Sequence, residues 1–184
     1  ADGGFDFSYN FNKQEYLSCR IIFCEIVTAL SIQRKGGSFV CKFFDIYNEI
    51  TKSFIYLLKS CYENVYITKP NTSRPANSEK YVICKQFNGI NETYLQKLYI
   101  LVNNWEYIET NNLFINKLFD IDSGFIKKID EINNKYFNIQ IKNIKNTLEF
   151  IETNIETNIE TNIETNIETN IETNIETNIE TNIE

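Results

Sequence analysis

The stretch that decides the fold runs from Gly36 to Phe87, opening with GGSFVCKFFD (36–45) and closing with NVYITKPNTSRPANSEKYVICKQF (64–87). Its first segment holds a β-favouring apolar run, Ser38–Phe44, interrupted near its end by Lys42. Residues 46–61 follow with the amphipathic spacing of a helix, Ile50, Phe54, Leu57, Leu58 and Cys61 sharing one side. Val65–Lys69 reads as a second strand, closed by Pro70. The polar loop NTSRPANS then leads into a third strand, Glu79–Phe87. Both prolines of the chain, Pro70 and Pro75, flank or lie in that loop.

Working outward, residues 13–34 carry two adjacent apolar stripes, Leu17, Ile21, Cys24 and Ile22, Ile26, Ala29, Leu30. This is a helix face wide enough to lie on a sheet. Arg34 and Lys35 complement the helix dipole at its end, and Gly36–Gly37 stops it. The order helix–strand–helix–strand–strand predicts an α/β sheet, mostly parallel. The last strand is antiparallel, because its connection is too short for a crossover. Residues 91–107 predict a helix with Tyr94, Leu98, Leu101 and Val102 facing inward. Residues 113–150 predict one to three more helices forming a structural or partner-binding appendage.

Residues 151–184 repeat Ile-Glu-Thr-Asn eight times and end on Ile-Glu, adding nine glutamates and no base. Without those nine, 16 acids face 18 bases, so residues 1–150 carry about +2 where the whole chain carries −7. A tail of this composition reads as low-complexity, disordered or marginally helical. The organisation is thus residues 1–88, a helical 89–150 and the 151–184 repeat.

The residue types exclude several chemistries. There is no histidine, which removes Ser-His-Asp, Cys-His and His-ligated metal sites. The five cysteines (19, 24, 41, 61, 84) have no CxxC spacing and read as reduced, buried thiols of an intracellular protein. No apolar run approaches a membrane span and no signal peptide is visible, so the expectation is a soluble protein with no membrane partner. The chain has no methionine, even at position 1, and reads as a fragment whose start lies upstream.

In an open α/β sheet the ligand site lies beyond the carboxyl ends of the parallel strands. Lys42 ends one strand there, the 70–78 loop leaves another, and Glu79 begins the returning strand at the same edge. Asp2, if it terminates a strand before residue 1, is the third ionisable group in that crevice. Lys42 has a competing reading, a side chain that simply snorkels from a strand end. Asp2-Gly3-Gly4 has one too, a flexible terminus.

Three segments, ADGGFDFS (1–8), ALSIQRKGGSFVCKFFD (29–45) and ITKPNTSRPANSEKYVICK (67–85), resemble the second half of the catalytic domain of FtsJ-like ribose 2′-O-methyltransferases. Within that family the resemblance is to the branch acting on the mRNA cap. It covers residues 1–88 and implies the C-terminal half of a Rossmann-like methyltransferase sheet, with S-adenosylmethionine as cofactor and capped mRNA or another RNA as partner. It implies no metal and names no protein partner. Localisation in the nucleus or cytoplasm, or a viral factory for a viral protein, follows from that substrate.

Of the family's Lys-Asp-Lys-Glu tetrad, the resemblance implies that Asp2 is the aspartate, also bordering the cofactor, Lys42 the second lysine and Glu79 the glutamate. It places Asn12, Ser73, Arg74 and Asn77 in the RNA cleft. The first lysine and the glycine-rich cofactor loop would belong to an upstream half. A lysine can take a proton from a 2′-hydroxyl only when neutral. Lowering its pKa from near 10.4 to about 7 costs roughly 4 kcal/mol, a shift that a second lysine and desolvation would favour and the two carboxylates oppose. This chain alone is therefore expected to keep Lys42 protonated and to turn over negligibly. A ribosomal-RNA methyltransferase and a non-catalytic RNA-binding or protein-interaction module derived from the same fold are the other readings.

Overall fold

The computed structural model describes residues 1–4, 6, 10–110 and 120–180. After a 3-10 turn (Phe11–Lys13) come α1 (Gln14–Ile32), β1 (Phe39–Phe43), α2 (Glu49–Cys61), β2 (Tyr62–Thr68), β3 (Lys80–Phe87), α3 (Glu92–Asn103), α4 (Trp105–Thr110) and α5 (Ser123–Glu180). Residues Ala1–Gln140 form one compact unit and Ile141–Glu184 another, the division falling inside α5. Of the helices predicted over 113–150, the part over 113–119 lies outside the described residues, as do the last four residues of the repeat.

The sheet has three strands in the order β1-β3-β2. The expected antiparallel β3 is present, pairing with β1 (Lys42 opposite Tyr81) and with β2 (Thr68 opposite Tyr81). The expected mostly parallel pairing is not: every strand pairing among the described residues is antiparallel. The reason is the short return from β2. A connection over 69–79 cannot cross the sheet, so β3 returns antiparallel to β2, and its pairing with β1 on its other edge separates the two. β1 and β2 still run in the same direction, so their carboxyl ends and the start of β3 share one edge.

Ala1 lies along the other side of β1. Its amino group donates to the Val40 carbonyl at 2.7 Å, and its own carbonyl accepts from the Lys42 N–H at 3.1 Å. One residue bridging the two neighbours of Cys41 in this way is the hydrogen-bond pattern of a parallel ladder.

The strands alternate rather than burying both faces. Phe39, Cys41 and Phe43 of β1 and Val82 and Cys84 of β3 are buried. Val40 is exposed, and Lys42, Tyr81 and Ile83 are half-buried. The buried face is covered by α1 through Ile22, Phe23, Ile26 and Leu30 and by α2 through Phe54, Leu57 and Leu58. Phe23 stacks on Phe54 at 5.3 Å and meets Trp105 of α4 at 5.5 Å. Such side chains contribute about 1.5–3 kcal/mol each on leaving water, which is why α4 joins the core despite its length.

The second strand spans Tyr62–Thr68 rather than 65–69, and three further local expectations are corrected. The stripe containing Leu17, Ile21 and Cys24 is only half-buried, and the adjacent stripe carries the packing. α1 ends at Ile32, so Arg34 and Lys35 lie beyond its last turn, and Gly36 serves the following turn at φ +77°. In α3, Leu95 and Leu98 are the buried positions, whereas Tyr94 is 46 % exposed. No helix among the described residues is long and apolar enough to cross a membrane.

Candidate active site

The site begins at the end of β1, where strand alternation points Lys42 away from the core. Its ammonium is 2.6 Å from the Asp2 carboxylate and also donates to the Asp2 main-chain oxygen at 3.2 Å. It lies 5.8 Å from the centroid of the Phe44 ring. The Lys42 side chain is 15 % exposed and that of Asp2 71 %, so the pair presents one carboxylate face to solvent over a largely covered amine.

Asp2 reaches this position because the chain is tied on both sides of it. Ala1 is bonded to β1, and the Gly3 N–H donates to Glu25 Oε1 at 2.7 Å. A Cβ on Gly3 would fall 2.6 Å from both Glu25 Oε1 and Ile21 Cδ1, the ends of two flexible side chains, so a larger residue would push them aside and disturb the Gly3 bond to Glu25.

Glu79 precedes β3 at the same edge. Its Oε1 accepts from the Tyr81 hydroxyl at 3.1 Å, and Tyr81 is the cross-strand partner of Lys42. Burial, then the hydrogen bond to Glu79 and the charges of Glu79 and Asp2, push the Tyr81 phenol above its ordinary pKa. Lys42 and Asp2 are thus in direct contact, while Glu79 is joined to that row through Tyr81. In the sequence Tyr81 stands in the apolar run Tyr81–Cys84 of the third strand and carries no site signal of its own. The available signal was its spacing of two from Glu79, which places both side chains on one face of the strand.

Beside this edge lies a cleft of about 720 Å³ whose lining includes Asn12, Glu15, Tyr47, Arg74, Asn77 and Glu79. Arg74 is exposed on its rim and forms no ion pair among the described residues. Ser73 is not part of the lining. Its hydroxyl accepts from Lys69 Nζ at 3.2 Å and donates to Asn77 Oδ1 at 3.4 Å. Asn77 Oδ1 also accepts from Lys69 Nζ at 2.6 Å and from the Glu79 N–H at 3.3 Å.

Lys69 itself is drawn below the ordinary lysine pKa, first by burial and then by the Lys80 charge, with Glu79 opposing. Lys80 is buried and donates to Asp45 Oδ1 (3.2 Å), the Phe44 carbonyl (3.3 Å) and the Ser78 carbonyl (2.9 Å). On the opposite wall, Glu15 accepts from the Asn48 N–H at 2.8 Å at the start of α2. Burial, partly offset by that bond, raises its pKa.

The geometry offers an oriented amine, a carboxylate suited to a cationic group, and a neighbouring polar cleft with Arg74 on its rim. Residues 1–87 match the FtsJ-like methyltransferase family. The chain is 35 % identical over 161 residues to the cap-specific mRNA (nucleoside-2′-O-)-methyltransferase 1 of Drosophila melanogaster, covering 83 % of this chain and 20 % of the relative. It is 39 % identical over 157 residues to the protein of the same name from Mus musculus, covering 83 % and 19 %. With the cap-specific mRNA (nucleoside-2′-O-)-methyltransferase 1A of Caenorhabditis briggsae it shares 40 % over 141 residues, 72 % of this chain and 16 % of the relative. The chain therefore spans about one fifth of the length of the curated relatives it matches. The likeness to FtsJ-like methyltransferases thus rests on residues 1–87, just under half of the 184-residue chain.

Proposed function

We infer that this chain supplies the ribose-facing side of an S-adenosylmethionine-dependent mRNA 2′-O-methyltransferase acting at the cap-proximal nucleotide. The observation that carries this reading is the Lys42–Asp2 pair at 2.6 Å, set at the sheet edge where Glu79 and the Arg74-rimmed cleft meet. In this reading β1, β3 and β2 are one end of a larger Rossmann-like sheet. The parallel-type rung between Ala1 and β1 supports that continuation.

A ribose 2′-hydroxyl placed at Lys42 Nζ receives an N–H hydrogen bond that stabilises the negative charge developing on its oxygen as its proton passes to solvent. Asp2 fixes the direction of the amine. Glu79, through Tyr81, places a second carboxylate at the same row. Arg74 matches an RNA phosphate in bidentate geometry; Asn12 and Asn77, which line the same cleft, complete the proposed RNA side, with Ser73 behind them on Asn77. Bound S-adenosylmethionine would supply a methyl group on a cationic sulfonium. Among these residues the exposed carboxylate of Asp2 fits such a cation by sign and access.

The test is transfer of labelled methyl from S-adenosylmethionine to capped RNA by the full-length gene product. Lys42→Met is expected to lower kcat about a hundredfold or more, the scale lost with a donor to developing charge. The reading falls if no methyl is incorporated at a 2′-oxygen, or if Lys42→Met keeps the parent rate.

A further inference from the structure

Thr68 ends β2, and the next side chain turns back into the loop that follows it. Lys69 Nζ donates to Asn77 Oδ1 at 2.6 Å, to the Glu79 carbonyl at 2.9 Å, to the Asn77 carbonyl at 3.0 Å and to Ser73 Oγ at 3.2 Å. Those acceptors lie four to ten positions downstream and belong to the two ends of the loop. The loop's own backbone supplies two local turns, Ser73 N–H to the Pro70 carbonyl at 3.0 Å and Asn77 N–H to the Arg74 carbonyl at 3.2 Å. Each turn spans four residues, and neither joins the other. Lys69 bonds to both, and to the carbonyl of Glu79 at the start of β3.

The acceptors explain why a cation belongs there. Three of the four are carbonyl-type oxygens, two of them from Asn77, brought together at one point. Without a positive donor they repel one another and lose their shared charged partner inside a partly buried pocket. Asn77 Oδ1 is the centre of the arrangement, since it also takes the Glu79 N–H and the Ser73 hydroxyl. Arg74 stands at the junction of the two turns and has no ion pair of its own among the described residues. Its direction over the cleft is therefore set by the turns on either side.

We propose that Lys69 is a positioning residue whose ammonium locks the 70–79 segment, so that Arg74 meets an RNA phosphate and Glu79 meets Tyr81 at the sheet edge. The proposal rests on the RNA reading above for its functional half and on the loop geometry for its structural half.

Both halves are measurable on the 184-residue chain. A short fluorescein-labelled single-stranded RNA reports affinity by anisotropy, and hydrogen exchange reports the amides of Ser73, Asn77 and Glu79. Lys69→Met keeps the stem and removes the charge. It is expected to weaken RNA binding about tenfold, as the competent loop falls to a minor population, and to speed exchange at those amides while the β3 amides stay protected. Lys69→Cys should behave like Lys69→Met. Aminoethylation with 2-bromoethylamine, in which the thiolate displaces bromide and leaves an ammonium of nearly lysine length, should restore binding and protection to within about twofold. Wild-type chain treated the same way is the control for the other cysteines.

Unchanged exchange in Lys69→Met, unchanged affinity in the face of RNA binding by the wild type, or no recovery on aminoethylation overturns the proposal. If the wild type binds no RNA while Lys69→Met still loosens the loop, the RNA reading fails and the loop lock stands.

Discussion

Lys80 and Asp45 give a test in which the more exposed partner matters more. The Lys80 side chain is 5 % exposed and that of Asp45 37 %. An ammonium has three N–H donors, and here they go to Asp45 Oδ1, the Phe44 carbonyl and the Ser78 carbonyl. Asp45→Ala leaves that ammonium buried with two neutral acceptors and no counter-charge. Breaking a buried pair from one side costs about 3–5 kcal/mol, and the partial exposure of Asp45 argues for the lower end.

Lys80→Met removes the charge together with its desolvation cost, which amounts to several kcal/mol, and keeps most of the stem's volume. It loses three charge-assisted bonds at about 1.5–3 kcal/mol each, but Asp45 rehydrates. The two sides nearly cancel, leaving about 1 kcal/mol. The double variant should then be close to Lys80→Met alone, a coupling of about 3 kcal/mol between the sites. Urea unfolding followed by Trp105 measures all three. Trp105 is the sole tryptophan, 4 % exposed and packed on Phe23, and equal m-values would show that only stability has changed. The reasoning is refuted if Lys80→Met costs more than Asp45→Ala, or if the two effects add within about 0.5 kcal/mol.

Two further variants probe the walls of the site. Glu15 has a folded-state pKa raised by burial, so the folded chain holds its proton more tightly than the unfolded one. Stability from this group is therefore greatest below the unfolded value of about 4.5 and is lost as pH rises through the folded value. Glu15→Gln keeps an acceptor for the Asn48 N–H and should raise Tm at neutral pH but not at pH 4; a lower Tm at neutral pH would contradict this. Gly3→Ala places a Cβ against Glu25 and Ile21 and should move Asp2 off Lys42. In the full-length product that displacement is expected to lower kcat about tenfold or more at unchanged RNA affinity, and parent-like kcat would show that Asp2 is not held from Gly3.

What could be read from the sequence was what is local. The β1 run, the helical spacing of α2 and the proline-bounded loop each announce themselves within a dozen residues. Lys42 at a strand end and Glu79 at a strand start followed directly. The side of β2 on which β3 returns did not, because it is decided by pairing with a strand some forty residues earlier. Tyr81 was hidden by its own ambiguity: an aromatic in an apolar run reads as packing until register sets it opposite Lys42. Lys69 read as the residue that closes a strand before proline. Nothing at that position says that its ammonium turns back to oxygens as far off as Glu79.

The same distinction governs the helices after β3. The recognisable motifs stop near residue 88 and the family match at residue 87, yet the compact unit runs to Gln140. On α5, Asn133 donates to the Ile46 carbonyl at 2.7 Å, Tyr136 to the Ile67 carbonyl at 3.3 Å and Gln140 to the Ala76 carbonyl at 2.9 Å. Spacings of three and four put these side chains on one helix face. Their three acceptors follow β1, lie near the end of β2 and belong to the loop before β3. Tyr136 also lies under the Lys80 ammonium at 5.9 Å, while Phe125 and Ile129 are buried in the same core as α2. One face of one helix therefore fastens the three segments that carry Lys42, Lys69 and Glu79. Backbone carbonyls as acceptors explain why no motif marks it, since any sequence that forms the strands presents them, and only the donors' spacing is specific.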